Sequence, residues 1–299
     1  MAFTVTFMSD RPLIVGLGEI LWDVFADARH FGGAPANVAV HANELGGRGA
    51  IASAVGRDPL GEEAREIMAS RRLDTSGVAD SAYPTGTVTV KLDDHGKADY
   101  VFAAETAWDH LAWSDPLDAL AREADAVVFG TLGQRSEESR RTIQRFLAAV
   151  RPVCLRVFDV NLRQDFFTNE IISASLKNAD ILKLNDEELP VVFPGATADD
   201  LPELRRRHGL RLIALTRGSE GALLVGENET SDLPGEPTEV KDTVGAGDSF
   251  TAATIMGLLA GHPLPLIHRH AAAVAGYVCS QPGATPELPE ALKAPDNLQ

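Results

Sequence analysis

Short, nearly continuous apolar runs alternate along this chain with longer stretches whose apolar positions recur at helical spacing. The first run is Leu13-Ile14-Val15-Gly16-Leu17-Gly18, and others lie at 125–129, 153–158, 180–184 and 210–215. These read as strands. The stretches around them read as helices over 35–45, 137–150, 171–177, 198–208, 248–260 and 265–279. Pro35 and Gly46 bracket the first helix in the order helices favour. Asp58-Pro59 reads as the N-cap and first turn of another, ending near Arg72. Strands alternating with helices predict a mostly parallel sheet with helices on both faces.

Two segments break that rhythm. Residues 85–92 and 97–103 are strand-like and flank Asp93-Asp94-His95-Gly96, which reads as a hairpin turn. Residues 20–27 are strand-like too and sit between the first strand and the first helix. Together they predict a small antiparallel sheet outside the main one. Such a flap suits a lid that shuts a reaction away from water; an ordinary edge extension is the alternative.

The 299 residues match two average domains or one large α/β domain. No repeat, low-complexity tract or linker divides them, so one domain over 1–299 is expected, with the lid built by insertions at about 20–31 and 84–108. Lys and Arg number 27 against 43 Asp and Glu, a net charge of −16. That balance excludes a general nucleic-acid binder and adhesion to an anionic membrane. Two cysteines, Cys154 and Cys279, are too few for a disulfide framework or a cysteine zinc site. The start, Met1 to Arg11, lacks signal-peptide character, and no stretch approaches the roughly 20 apolar residues of a membrane span. A soluble, acidic, cytoplasmic protein is expected. The histidines show no metal spacing, and His268-Arg269-His270 is expected at the surface of an alanine-rich helix.

The sharpest chemical signal is Asp242-Thr243-Val244-Gly245-Ala246-Gly247-Asp248-Ser249-Phe250, which runs directly into a helix. Small residues let a ligand approach the backbone. The amides of Gly245, Ala246, Gly247 and Asp248 can converge at the helix N-terminus as an anion hole. An ionised Asp248 beside that hole can take a proton from an alcohol as the alcohol attacks phosphorus. The alternative is a tight turn with Asp248 as a helix-start charge.

This stretch resembles the C-terminal signature of the ribokinase-like (PfkB) carbohydrate kinases. Phe31-Gly32-Gly33-Ala34-Pro35-Ala36-Asn37-Val38-Ala39 resembles their N-terminal signature in the form seen in fructokinases. The resemblance covers nearly the whole chain. It implies a Rossmann-like three-layer α/β/α fold with a β-sheet lid, and transfer of the ATP γ-phosphate to a sugar hydroxyl. It implies Asp248 as catalytic base and 245–247 as anion hole. It also implies sugar contacts from Asp23, Gly32, Gly33 and Asn37; Asn37 offers both a donor and an acceptor, which suits vicinal hydroxyls.

Asp159-Val160-Asn161-Leu162-Arg163 resembles the family's Asp-Pro-Asn-x-Arg stretch, with Val160 in place of proline. Arg163 is a candidate to clamp a phosphate oxygen or steady the sugar, with a surface arginine closing a strand end as the alternative, and Asp159 is expected to support the loop. Asn185 and Glu188 match an Asn-x-x-Glu motif that implies Mg²⁺ held through water at Glu188, with Asn185 at the nucleotide. Thr216-Arg217-Gly218-Ser219-Glu220-Gly221 resembles the family's phosphate loop, giving Thr216, Gly218 and Gly221 as nucleotide contacts. Adenine is expected between 237–240 and the alanine-rich 271–275. Asp242 is a candidate for K⁺, although Gln281 and Glu287 differ from the ribokinase form.

No Gly-x-x-x-x-Gly-Lys-Ser/Thr run occurs, which excludes a P-loop enzyme. No Arg or Lys lies between Lys97 and Arg122, which argues against a sugar acid needing a cation there. Trp108 faces the sugar or packs the lid. The expected activity is an ATP:sugar kinase using Mg²⁺, fructose first, forming a homodimer through the lid strands. Kinases for 2-keto-3-deoxygluconate, ribose or a nucleoside, and a non-catalytic regulatory protein on this fold, are the alternatives.

Overall fold

The computed structural model describes residues 11–25, 27–92 and 98–295. The expected turn Asp93-Asp94-His95-Gly96 and the chain start through residue 10 lie outside the described residues.

Nine strands form the main sheet: β1 (Leu13–Leu17), β4 (Arg48–Gly56), β5 (Asp74–Ser81), β8 (Ala126–Phe129), β9 (Leu155–Asp159), β10 (Ile181–Asn185), β11 (Leu212–Thr216), β12 (Ala222–Gly226) and β13 (Thr230–Leu233). Their order is β13-β12-β11-β10-β9-β8-β1-β4-β5. The pairs from β5 through β11 are parallel, and β12 and β13 continue the sheet antiparallel. The chain winds outward from β1 through β4 and β5, then returns to β8 on the other side of β1. That reversal leaves a crevice at the carboxyl ends of β1 and β8, where open α/β sheets bind ligands.

Alternation along each strand builds two cores. Leu13, Val15 and Leu17 face one way with Val127, Phe129 and Leu182. Ile14 faces the other way with Ala126, Val128, Leu155, Val157 and Ile181. The first face is covered by α3 (Asp115–Glu123), α4 (Glu137–Ala149), α5 (Asn169–Asn178) and α7 (Leu201–Arg207). The second is covered by α1 (Ala34–Glu44), α8 (Ala246–Leu259) and α9 (Leu264–Cys279). The fold is the expected three-layer α/β/α arrangement. Among the described residues no helix is long and apolar enough to cross a membrane.

The small sheet has the order β3-β2-β6-β7, from β2 (Leu21–Val24), β3 (Arg29–Gly32), β6 (Gly86–Leu92) and β7 (Ala98–Phe102). It is mixed, not antiparallel: β2 and β6 pair in parallel. Both strands leave the main sheet after strands that run the same way, β1 and β5, so they enter the small sheet in one direction. Beneath it, the Arg135 guanidinium lies 4.1 Å from the Trp108 ring centroid and 4.9 Å from that of Phe166. It donates to both Asp109 carboxylate oxygens, at 2.7 and 2.6 Å, and to the Ala103 carbonyl at 2.6 Å. Trp108 therefore packs beneath the small sheet, buried with Leu21, Val88 and Leu132.

Other expectations shift. The predicted strands at 153–158 and 210–215 begin two residues later, and the helix at 198–208 opens as a 3₁₀ turn before α7. His268 and His270 are buried, not at the surface. His268 Nδ1 lies 2.8 Å from Ser231 Oγ, and His270 Nε2 lies 2.8 Å from the Leu292 carbonyl.

Arg135 and Asp109 are both almost fully buried. Arg135→Ala strands the carboxylate without its partner and is expected to lower unfolding stability by ~3–5 kcal/mol. The pair Arg135→Met with Asp109→Asn is expected to recover most of that loss in urea titrations.

Candidate active site

The N-terminus of α8 is shaped by Gly245, whose φ of 79° is left-handed. A Cβ there would lie 2.2 Å from the Ala284 carbonyl oxygen, so glycine is required twice over. Ser249 N–H turns back to Gly245 O. The N–H groups of Gly247 and Asp248 meet no acceptor among the described residues. Two free donors at the positive end of a 14-residue helix can receive an anion.

Asp248 projects from the first turn of α8 and accepts a 2.8 Å hydrogen bond from Asn37 Nδ2. Asn37 stands in the first turn of α1, its own N–H bonded to Gly33 O. Gly33 has φ 111°, and a Cβ there would meet the Glu19 carbonyl at 2.4 Å. Burial pushes the Asp248 carboxyl up to about 6, and Asp159 pushes the same way. Asn37, Lys183 and Arg163 pull it down.

Asp159 is buried at the end of β9 and does more than support its loop. It accepts from Lys183 Nζ at 3.1 Å and from Thr251 Oγ1 of α8 at 3.1 Å. Glu19 follows β1 and is also buried; its Oε2 has no partner. Burial raises its carboxyl to about 7 against the pull of its own backbone amide. It lines a cavity of about 10 Å³ with Gly130, Asp159 and Asn161, roughly the size of one water.

Asp23 lies opposite His30 in the small sheet, and a Cβ on Gly32 would approach its Oδ2 to 3.0 Å. Burial raises the Asp23 carboxyl, and Arg163 and His30 lower it. The exposed Arg163 therefore acts electrostatically on Asp23, Glu19 and Asp248 together. Its loop holds Asn161 and Gln164 at positive φ, and the Gln164 amide donates to the Tyr100 carbonyl of β7. The loop after β9 thus ties the main sheet to the small one.

Asn185 and Glu188 cap each other. Glu188 Oε2 accepts the Asn185 N–H at 2.9 Å, and Asn185 Oδ1 accepts the Glu188 N–H at 2.8 Å. Glu188 Oε1 accepts the Leu162 N–H at 2.9 Å. Its oxygens retain further lone pairs, so a hydrated divalent ion fits here as a shared partner. Among the described residues no group of three or more acids, histidines or cysteines encloses a metal, so an ion here would need most of its ligands from nucleotide and water.

Thr216 ends β11 beside Asn185. Gly218 has φ +54° with open space where a Cβ would be. Gly221 has a packing reason instead: its Cβ would meet the Leu233 carbonyl at 2.1 Å. Asp242 spends both carboxylate oxygens on the loop, accepting from Val244 N–H at 3.0 Å and Gly283 N–H at 3.1 Å. Thr238 Oγ1 lies 3.4 Å from where a Cβ on Gly276 would stand, one residue beyond the alanine-rich 271–275.

Residues 13–291 match the pfkB family carbohydrate kinase pattern. The chain belongs to the PfkB family. It is 31% identical over 303 residues to a sugar kinase of Pyrococcus horikoshii, covering 94% of this chain and 95% of that one. It is 32% identical over 265 residues to the fructokinase of Klebsiella pneumoniae, covering 83% and 85%. The crystal structure of the uncharacterized P. horikoshii sugar kinase superposes with a TM-score of 0.79 over 96% of each chain. A fructokinase of Vibrio cholerae solved with fructose, ADP and calcium shares the fold at 23% identity, TM-score 0.80, over 94% and 97%. This PfkB protein is an ATP-dependent sugar kinase.

Glu19, Lys183, Arg135 and Thr251 escaped sequence reasoning. Two of them carried a signal: Glu19 and Lys183 are lone charges inside otherwise apolar runs, Leu17-Gly18-Glu19-Ile20-Leu21 and Ile181-Leu182-Lys183-Leu184.

The folded Glu19 carboxyl, raised from 4.5 to about 7, binds its proton more tightly than the unfolded one. Its stabilising contribution is full below about 4.5 and is lost as pH rises through about 7. Glu19→Gln removes that titration. Between about pH 5 and about pH 8, urea unfolding is expected to show the variant gaining ~2–3 kcal/mol relative to the parent.

Proposed function

We propose that this kinase transfers the γ-phosphate of ATP to a primary hydroxyl of a neutral hexose, with fructose the first acceptor and fructose 6-phosphate the product. The observation that carries the reading is the Asn37–Asp248 hydrogen bond, which joins the two signature segments at one point. Asp248 takes the proton of the acceptor hydroxyl. The oxygen attacks the γ-phosphorus in line, the bond to the ADP oxygen breaks, and ADP leaves. The amides of Gly245, Gly247 and Asp248, with Arg163, carry the charge on the transferring group, whereas the expected Ala246 amide is spent on the Thr243 carbonyl at 3.3 Å.

Asp23, Gly32, Gly33 and Asn37 hold the sugar between the main sheet and the lid. Asn185, Thr216, Gly218 and Gly221 line the nucleotide side. Glu188 would hold, through water, a magnesium ion brought by ATP, which would supply charge neutralisation at the phosphates; Asp242 stays the candidate for K⁺. Exposed Phe25, Tyr100 and Val101 on and beside the small sheet support pairing of two copies through the lid. Dependence on ATP suits a cytoplasmic location.

Fructose is favoured by the identity to the K. pneumoniae enzyme named for it, and by the state of the lid cation. Arg135 reaches the lid base, but Asp109 holds its charge, so a sugar acid gains no free cation there.

ADP release across a panel of sugars is expected to be largest with fructose. Dominance of 2-keto-3-deoxygluconate, ribose or a nucleoside would keep the mechanism and replace the acceptor. Asp248→Asn is expected to lower kcat by ~10²–10⁴-fold with ATP affinity nearly unchanged; near-parental turnover would remove the base. Since Asp248 titrates at about 6, kcat is expected to fall as pH drops through that value.

A further inference from the structure

A buried ion pair lies beneath the first turn of α8. Lys183 and Asp159 are direct partners in the parallel ladder between β10 and β9. Strand alternation points both at the face covered by α8, where Leu155, Val157 and Ile181 form core. An apolar pair at 159 and 183 would complete that core at lower cost than two desolvated charges. Their contacts run to the catalytic turn. Asp159 Oδ2 accepts from Thr251 Oγ1, which lies 2.9 Å from the Gly247 carbonyl. Lys183 Nζ lies 3.0 Å from where a Cβ on Gly247 would stand.

Asp248 is surrounded from five directions. Asn37 of α1 donates to it, Asp159 of β9 and Glu19 after β1 repel it, and Lys183 of β10 and Arg163 of the loop after β9 attract it. Arg163 is exposed, so Lys183 is the cation held in the interior. Burial alone would discharge that ammonium; Asp159, Glu188 and Asp248 more than offset it, so its pKa is raised.

We propose that Lys183 is a positioning residue for phosphoryl transfer: its ammonium cancels the charge of Asp159 beneath α8, so that Asp248 keeps its own negative charge and the turn amides keep a net attraction for the transferring group. This rests on the reading of Asp248 as the base. With the ammonium removed, Asp159 is an unpaired negative charge facing Asp248, and the base is protonated at higher pH. With Asp159 neutralised instead, Lys183 is unpaired and the base is protonated at lower pH.

The test is the pH profile of kcat for the parent, Lys183→Met, Asp159→Asn and the double variant, with thermal melts to certify folding. The acid limb is expected to move up by about one pH unit in Lys183→Met and down by a similar amount in Asp159→Asn. The double variant is expected to bring the limb back close to the parent and recover most of the kcat lost in Lys183→Met. KM for ATP and sugar is expected to stay within about threefold throughout, because neither side chain is asked to bind substrate. Unmoved limbs in both single variants would overturn the proposal. So would a loss in Lys183→Met that persists in the double variant, which would make Lys183 a direct phosphoryl contact. If Lys183→Met does not fold, Asp159→Asn decides alone, and a limb that fails to move down sinks the idea. Asp248→Asn is measured alongside: if it is inactive while the limbs stay fixed, the base reading survives and only the Lys183 proposal fails.

Discussion

The hydrogen bond from Asn37 to Asp248 closes the molecule across 211 residues of sequence, and the site exists only because it forms. It requires the first turns of α1 and α8 to meet over the carboxyl ends of β1 and β9. Each helix can start there because a glycine precedes it in a conformation other residues resist, Gly33 at φ 111° and Gly245 at φ 79°. Each glycine also presses on another segment, the Glu19 carbonyl in one case and the Ala284 carbonyl in the other. The two helix starts are thus fixed by backbone contact before any side chain acts. His41 Nε2 at 2.9 Å from Ala284 O completes the bracing from α1 to the C-terminal loop.

That geometry concentrates charge. Glu19, Asp159, Glu188 and Asp248 converge on one crevice, with Lys183, Arg163 and the start of α8 as counterweights. Buried carboxyls in such company shift upward, as Glu19 and Asp248 both do, to about 7 and about 6. The cost in stability is real, since apolar side chains would pack the same strand ends without it. On the proposed role of Asp248, the gain is a base poised near neutral pH beside free backbone donors. The crevice is the part of the fold where packing and chemistry disagree, and chemistry prevails.

Legibility in the sequence follows the same division. The turn at 242–250 was readable because its donors are backbone amides, and a backbone site must advertise itself in glycine. The small sheet was readable from the hairpin-like pattern at 85–103, but its parallel β2–β6 pairing was not, since register between distant strands depends on where each leaves the main sheet. β4 was missed because Arg48-Gly49-Ala50-Ile51-Ala52-Ser53-Ala54-Val55-Gly56 has few strong strand formers. Its residues are small for a tertiary reason: a Cβ on Gly49 would lie 2.0 Å from the Ala39 carbonyl of α1. The burial of His268 and His270 was invisible for the same kind of reason, since their partners Ser231 and Leu292 are distant in sequence.

The acceptor side is harder to read than the phosphoryl side because it is made of side chains that converge from separate elements. A gap in cations between Lys97 and Arg122 suggests a neutral acceptor, yet the fold delivers Arg135 to that very region. What matters is whether the delivered charge is available. Arg135 lies against two rings, and two of its nitrogens are fastened to the Asp109 carboxylate, which is itself held by the Thr106 amide and hydroxyl. A carboxylate drawn to Arg135 would have to displace Asp109 from a buried bidentate pair, leaving one buried anion unpaired for each one satisfied. A neutralised cation thus favours a neutral acceptor more firmly than a missing one would.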